Sequence, residues 1–187
     1  MSIPAHDLQL SVEEYLRLEE SSDVRHEYVS GRIFAMVGST EAHNAIVVNL
    51  TIAIGSQIRG SGCRAFSTDM KLRVEATNSF YYPDVMVSCE SYQAKAIFKQ
   101  APCLLIEVLS PSTIDIDRRE KLLAYQNITS LNEYAIVYQE ERRVELYKRR
   151  ENEWTVTVHT GADSLVLTPA PGLELNVSLD EVYEGVL

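Results

Sequence analysis

The sequence lacks the segments that would carry it into or through a membrane. Its first ten residues, MSIPAHDLQL, contain neither a basic start nor a long apolar stretch, so we expect no secretory signal peptide. No window reaches the roughly 18 apolar residues that a membrane-spanning helix needs. These absences predict a cytoplasmic protein that has no membrane partner.

Cysteine is scarce. Only Cys63, Cys89 and Cys103 are present, and none belongs to a CxxC pair. An odd number of cysteines without metal-binding spacing argues against a disulfide framework and against a zinc site. We therefore expect three reduced thiols.

Repeats, low-complexity tracts and linkers rich in proline or glycine are also missing. The 187 residues, of which 45% are hydrophobic, suffice for one compact domain with a buried core. We predict a single domain over residues 1–187, with its core at about 24–139 and a C-terminal hairpin and tail at 140–187.

Positive charge is in short supply. Lys and Arg number 17 against 27 Asp and Glu, which gives a net charge of -10. Nucleic-acid binders usually carry a basic surface, because phosphate contacts supply most non-specific affinity. The basic runs at 142–143 and 148–150 alternate with apolar residues. We interpret them as the solvated face of a hairpin, with a phosphate-contacting edge as the alternative.

The residue patterns that are present predict an α/β protein. Apolar spacings of three and four indicate helices, whereas alternation and short apolar runs indicate strands. We predict helices at 11–20, 40–58 and 114–126, a hairpin turning at Ser30–Gly31, strands at 63–74, 81–88, 102–109 and 133–139, a second hairpin at 142–148 and 154–159, and a peripheral tail at 169–187. This order predicts a mixed sheet with helices packed on it.

The residues before the predicted helix at 114–126 could end the preceding strand and begin the helix. The run from Ser110 to Thr113 breaks the preceding strand, and Ser112 with Asp115 resembles a capping box. These residues therefore predict the turn and cap between strand and helix.

Glu107 lies in the middle of an apolar strand, Leu104-Leu105-Ile106-Glu107-Val108-Leu109. An unpaired buried charge is costly, so such a carboxyl is protonated, paired or bound to metal. A position at a strand end near solvent is the alternative. Glu107 is therefore a candidate functional acid.

Asp84 is the natural partner of Glu107. The two acids lie in consecutive strands, which are often neighbours in a sheet. Asp84 is five residues before Cys89 and Glu107 is five residues after Pro102, so antiparallel pairing would bring them together. Two carboxylates with water form a typical Mg²⁺ site. Taken alone, Asp84 could be a turn residue after a proline.

Lys121 is the third candidate. On a helical wheel it shares a partly apolar arc with Ala124 and Tyr125, which would point it toward the sheet. The alternative is a solvated lysine that pairs with Asp117. Two carboxylates that hold a metal ion, with a cation nearby, suit phosphodiester hydrolysis, because metal activates water and the cation stabilises developing charge.

Together these motifs resemble the PD-(D/E)xK restriction-endonuclease-like superfamily, and within it a bacterial family of endonuclease-like proteins abundant in cyanobacteria. The matching segments are His26-Glu27-Tyr28 with Gly31, Ala42-His43, Tyr82-Pro83-Asp84-Val85, Ile106-Glu107-Val108-Leu109-Ser110-Pro111-Ser112-Thr113, Asp117-Arg118 with Lys121 and Tyr125, and Glu133-Tyr134. The likeness covers most of residues 11–182. The resemblance implies a mixed central sheet flanked by helices, with an N-terminal helix and hairpin.

The resemblance also implies a chemistry. By it, Asp84, Glu107 and the Val108 carbonyl would bind Mg²⁺ or Mn²⁺ in an endonuclease that cuts DNA and works as a homodimer. The superfamily's lysine usually lies two residues after the glutamate, where this sequence has Leu109. The resemblance implies that Lys121 has taken over its role and that Glu27 is an additional catalytic acid.

Several assignments have alternatives. Glu27 could pair with Arg25 or Arg32, and His43, on an apolar helix face, is more often a core histidine than a ligand. Tyr125 is expected to pack its helix on the sheet with its hydroxyl near the cleft. The competing function is a non-catalytic module that binds nucleic acid or protein and retains the nuclease fold, which the net charge of -10 favours.

Overall fold

The computed structural model describes residues 9–109, 117–151 and 153–187, and the side chains of residues 117–119 are outside that description. The predicted break at Ser110 to Thr113 and the predicted cap at Ser112 and Asp115 lie outside the described residues.

The described residues form four α-helices and thirteen strands. The helices are α1 (Val12–Ser21), α2 (Glu41–Gln57), α3 (Asp117–Gln126) and α4 (Leu179–Val182). The strands are β1 (His26–Val29), β2 (Arg32–Ala35), β3 (Arg64–Ser67), β4 (Lys71–Val74), β5 (Ser79–Tyr81), β6 (Val85–Ser88), β7 (Phe98–Lys99), β8 (Pro102–Leu109), β9 (Glu133–Tyr138), β10 (Arg143–Arg150), β11 (Glu153–Thr160), β12 (Ser164–Ala170) and β13 (Leu173–Ser178). None of the described helices is long and apolar enough to cross a membrane.

Within the described ranges the strands form three sheets. The largest has the order β11-β10-β9-β8-β6-β3, the second β2-β1-β5-β4-β7, and the third pairs β12 with β13. In the largest sheet β8 and β9 run parallel while the other neighbours run antiparallel. Strand β8 is central and buried along its whole length, which explains its apolar sequence. The prediction of a mixed α/β fold is confirmed.

Local sequence accounts for the first elements. Ser11 and Glu14 form a capping box at the start of α1, and Thr40 caps α2. The face of α2 predicted to be apolar is buried in the core. Ser30 and Gly31 both have positive φ, as a type I′ hairpin turn requires, so the predicted hairpin is confirmed.

Two predicted strands are each divided between sheets. The run at 63–74 forms β3 and β4, which belong to the largest and the second sheet, and the run at 81–88 forms β5 and β6, divided likewise. Pro83 lies at the second break, where its missing N–H cannot join a ladder. Periodicity within one segment does not reveal a change of sheet. This break positions Asp84 just before β6.

The prediction of a peripheral tail is wrong. Strand β13 and helix α4 pack on α2, strand β12 packs on β8 and β9, and all three contribute to the same core as the largest sheet. Every second residue of β12 is buried, which is the period of a strand with one face on a core. The fully buried side chains of this region are Leu165, Leu167, Leu175, Val177, Leu179 and Val182.

The expectation of three reduced thiols is also wrong. Cys63 and Cys89 form a disulfide, while Cys103 is a buried free thiol. Strands β3 and β6 pair with Arg64 opposite Ser88, and the same register carried one residue further places the two cysteines opposite each other. Spacing along the sequence cannot show this. Because two of the three cysteines form a disulfide, the cysteines no longer indicate a reducing compartment.

Candidate active site

Asp84 and Glu107 lie opposite each other across two central strands. Strands β6 and β8 are antiparallel with Val85 opposite Ile106, so the next position in register places Asp84 beside Glu107. Glu107 is buried and the Asp84 side chain is largely so. The juxtaposition inferred from counting residues is therefore present in the structure.

The carboxylate of Asp84 is held by two contacts. Its Oδ2 accepts a 2.7 Å hydrogen bond from the Val108 N–H, and its Oδ1 is 3.0 Å from His43 Nε2. These contacts fix the carboxylate between β8 and the first turn of α2. Val108 thus contacts Asp84 through its backbone N–H, and the role of its carbonyl as a metal ligand stays a prediction.

His43 is more than a core histidine. Its hydrogen bond with Asp84 raises the pKa of its imidazole above the usual range, and the charges of Asp84 and Glu107 and the Val108 backbone act in the same direction. Burial opposes this increase in pKa. His43 is therefore a hydrogen-bonding partner of Asp84, a contact that helix periodicity did not predict.

Glu107 is surrounded by groups from helix α3. Its Oε1 accepts a 2.7 Å hydrogen bond from the Tyr125 hydroxyl and lies 3.6 Å from Lys121 Nζ. Burial raises the pKa of Glu107 to about 8, Lys121 opposes that shift, and the charge of Asp84 adds to it. Burial and the neighbouring Asp84 charge therefore outweigh Lys121 and the Tyr125 hydrogen bond, and they favour the protonated form of Glu107. The predicted packing of Tyr125, with its hydroxyl at the cleft, is confirmed.

Lys121 connects the second sheet to the acid pair. Its Nζ lies 2.8 Å from Glu27 Oε1 on β1, and its side chain is only 12% exposed. This burial favours the inward orientation over a solvated lysine. Arg25, one of the suggested partners of Glu27, lies 3.5 Å from Asp69 instead. Glu27, Asp84, Glu107 and Lys121 therefore meet at one site, although their chemical roles stay predictions.

Sequence reasoning missed Glu19, which supports this site from α1. The side chain is buried, accepts hydrogen bonds from the His26 backbone N–H and from the Tyr82 hydroxyl, and lies 2.8 Å from His26 Nδ1. Tyr82 lies two residues before Asp84, and His26 is adjacent to Glu27. One sequence feature could have identified Glu19: it lies four residues after Tyr15, which places both side chains on one helix face.

The basic runs of the C-terminal hairpin are engaged within the protein. Arg143 Nη2 lies 2.9 Å from buried Glu145, and Lys148 Nζ lies 2.7 Å from buried Glu133. Arg149 donates hydrogen bonds to three backbone carbonyls, and Arg142 pairs with Asp180. The arrangement gives little support to a phosphate-contacting edge, and it is more buried than the expected solvated face.

Few of the described side chains at the acid pair could bind a metal ion. Within the described ranges, no group of three or more His, Cys, Asp or Glu side chains has the arrangement of a metal site. The donors available at the acid pair are the carboxylates of Asp84 and Glu107 and the neighbouring backbone of Val108. Mg²⁺ is commonly bound by one or two carboxylates, with water and substrate completing its shell. The donor set therefore suits such an ion.

Comparisons with known proteins agree with the fold and the motifs. Residues 12–178 match the model of the Uma2 family, described as "putative restriction endonuclease". Two uncharacterised proteins of Synechocystis are similar, one 33% identical over 180 residues (95% of this chain and 93% of that protein), the other 31% identical over 168 residues (88% and 95%). A crystal structure of "a putative nuclease belonging to DUF820" from Anabaena variabilis has a TM-score of 0.73 at 21% identity, over 95% of this chain and 99% of that one. At that identity the likeness shows a shared fold.

Proposed function

The chain belongs to the Uma2 family, and on that premise we propose that it is a divalent-metal-dependent endonuclease that hydrolyses phosphodiester bonds in DNA. The Uma2 family is described as an endonuclease family, and the similar Anabaena protein is described as a nuclease. The cofactor, the substrate and the residue roles are our proposal, and the arguments below support them from the chemistry of the site.

The observation that carries the proposal is the pairing of Asp84 with Glu107 across β6 and β8. Placing two acids side by side in a buried environment costs free energy unless a cation or protons neutralise them. The raised pKa of Glu107, about 8, reflects that cost. A fold that keeps such a pair at the centre of its main sheet suits the binding of a cation.

A divalent ion fits this donor set. Asp84 and Glu107 would hold Mg²⁺ or Mn²⁺ with the Val108 carbonyl, and both carboxylates supply the oxygen ligands that these ions prefer. Such an ion polarises a phosphate and lowers the pKa of bound water. The structural feature that favours this assignment is the buried pairing of Asp84 with Glu107, because a bound cation would let both carboxyls ionise there.

The chain's own residues would do the remaining work. In hydrolysis a water oxygen attacks phosphorus while the bond to the leaving oxygen breaks, and negative charge grows on the phosphate. Lys121, beside Glu107, is suited to stabilise that charge. Glu27 orients Lys121 through their 2.8 Å ion pair. His43 acts as a positioning residue, because it fixes the Asp84 carboxylate.

A non-catalytic binding module is the second candidate. Two observations favour it, namely the net charge of -10 and the pairing of Lys121 with two carboxylates, which reduces the positive charge available to a phosphate. Calorimetric titration with Mg²⁺ or Mn²⁺ distinguishes the two functions. Metal binding that is lost in Glu107→Gln supports the nuclease, whereas an absence of such binding supports the module.

A cleavage assay tests the proposal directly. Purified protein with Mg²⁺ or Mn²⁺ should cut DNA, and Asp84→Ala should not. Glu133→Gln is a matched control, because Glu133 is a buried acid that pairs with Lys148 outside the acid pair. The control should keep its activity at temperatures where it is folded. Equal activity of wild type and Asp84→Ala, with or without metal, would show that the proposal is wrong.

We further propose that the protein works as a homodimer, as the family resemblance implies. Two copies would each hold one acid pair, so a dimer would carry two cleavage sites. Light scattering coupled to size-exclusion chromatography should give twice the 21.1 kDa mass of one chain. A mass of one chain at the concentrations used for cleavage contradicts this part of the proposal.

A further inference from the structure

Phe34 stands on the same face of the second sheet as Glu27. In the β1–β2 hairpin the two residues are directly opposite each other. Side chains of opposed residues in an antiparallel pair project to one face, with Cβ atoms about 5 Å apart. Because Glu27 pairs with Lys121, and Lys121 lies near Glu107, the Phe34 ring is at the border of the candidate active site.

The neighbouring position of the hairpin has the opposite orientation. Ile33 is opposite Tyr28, and both pack into the cluster formed by Tyr15 and Phe80. The alternation of a strand therefore places Ile33 in the core and Phe34 on the site face. Phe34 gains little from packing, since its side chain is 51% exposed.

Phe34 and Met36 form an apolar rim at the border of the site. Strand β2 is at the edge of its sheet, and the Met36 N–H bonds to the Arg25 carbonyl, which continues the register and places Met36 on the same face as Phe34. Both side chains are exposed. A single exposed apolar residue is ordinary. Two on one face at a sheet edge, next to an acid site, suit the binding of an apolar or aromatic group.

The charge distribution limits what this rim can bind. Duplex binding takes most of its affinity from phosphate contacts. Here Lys121, Arg25, Arg143 and Lys148 are each paired with a carboxylate, and the net charge is -10. Proteins that bind unpaired strands gain affinity by stacking bases on aromatic rings. In a duplex the bases are already stacked on one another, so an exposed ring beside the site can stack only on a base that is unpaired.

We propose that Phe34 stacks on an unpaired nucleobase adjacent to the scissile phosphate, so that the substrate is a single-stranded nucleic acid or an unpaired segment within one. This inference rests on the proposed nuclease function and names its substrate class. Phe34 is a positioning residue, because it contacts a base next to the phosphate and takes no part in bond breaking. Met36, on the same face, extends the apolar rim toward a second base.

The test measures binding without cleavage. Single-stranded DNA and RNA oligonucleotides that carry 2-aminopurine, and a duplex of the same sequence, are titrated with wild type, Phe34→Ala and Phe34→Trp in EDTA. Tyr92→Ala is the matched control, because Tyr92 is an exposed aromatic residue whose ring lies under Arg64 in another part of the chain. Comparison of the DNA and RNA titrations shows which of the two single-stranded nucleic acids binds more tightly.

Wild type should bind single strands more tightly than duplex and should quench 2-aminopurine fluorescence, which reports stacking. Phe34→Ala should bind single strands about tenfold more weakly, while Phe34→Trp and Tyr92→Ala should match wild type. Equal binding by wild type and Phe34→Ala, a preference for duplex, or no binding at all would overturn the inference. A change of molecular mass in Phe34→Ala would instead assign the rim to contact with a second copy.

These outcomes separate the two proposals. A protein that stacks bases through Phe34 but never cuts them fails the proposed function alone. A protein that cuts nucleic acid in the presence of metal, while Phe34→Ala binds as wild type does, fails this inference alone.

Discussion

Tyr125 donates a 2.7 Å hydrogen bond to Glu107, and this buried contact connects helix α3 to the central strand β8. The same helix presents Lys121 to Glu107 and to Glu27. One helix therefore brings the two sheets and the acid pair into one polar network. The network explains why an acid can occupy the core of an otherwise apolar strand.

Removing the Tyr125 hydroxyl should destabilise the fold. Tyr125→Phe leaves a buried carboxyl oxygen without its donor, which typically costs about 1–3 kcal/mol. Urea unfolding of wild type and Tyr125→Phe measures the difference in free energy. Tyr92→Phe, which alters an exposed ring, should unfold as wild type does. Equal free energies for wild type and Tyr125→Phe would show that the contact contributes nothing.

The raised pKa of Glu107 predicts how stability depends on pH. In the fold this pKa is about 8, against the usual 4.5, so the folded state keeps a proton that the unfolded state releases. The free energy of unfolding should therefore fall as pH rises from about 4.5 to about 8. His43, whose pKa is also raised, adds a decline in the same direction above 6.5.

Glu107→Gln isolates the contribution of the carboxyl. Melting temperatures of both proteins in EDTA from pH 5 to pH 9 should converge at low pH, with wild type falling more steeply as pH rises. Divalent metal should restore part of the loss in wild type, because binding requires the ionised carboxylate. Parallel pH profiles for the two proteins would contradict the assignment of the raised pKa.

His43 should matter to activity through Asp84. Partners that orient a metal-binding carboxylate typically change metal affinity or activity 10- to 100-fold when removed. We expect a loss of that size in His43→Ala, with partial recovery in His43→Gln, whose amide can still donate to Asp84. Metal titration and cleavage rates are the measurements. An unaffected His43→Ala variant would return His43 to the role of a core residue.

The disulfide should contribute about 3 kcal/mol of stability, given that its cysteines are 26 residues apart. Cys89→Ser is the better variant, since Cys103 Sγ lies 3.7 Å from Cys89 Sγ and could replace Cys63 as its partner. Reductant should lower the free energy of unfolding of wild type and leave Cys89→Ser unchanged. Cys103→Ala should respond as wild type does. A wild type indifferent to reductant contradicts the disulfide.

The acid pair could be predicted from sequence because antiparallel strands impose a counting rule. Asp84 and Glu107 are equidistant from the connection between their strands, and β6 and β8 pair in that register. The contact between Glu27 and Lys121 could not be predicted by counting residues in this way. It depends on how α3 packs between two sheets, and the resemblance to a family supplied it instead.

The disulfide and the contact of His43 with Asp84 could not be predicted from the sequence, for a similar reason. The disulfide depends on the register of β3 with β6, two strands separated by β4 and β5 in the sequence. The contact of His43 with Asp84 depends on where the start of α2 meets the end of β8. Local patterns specify the elements, while contacts between distant elements follow from packing.

The central claim is that Asp84 and Glu107 share one divalent ion, and anomalous diffraction from crystals soaked in Mn²⁺ tests it most directly. The account predicts a manganese peak within coordination distance of both carboxylates in wild type and its loss in Glu107→Gln. Fully soaked crystals with no peak at the two carboxylates, or with manganese bound only elsewhere, would contradict it.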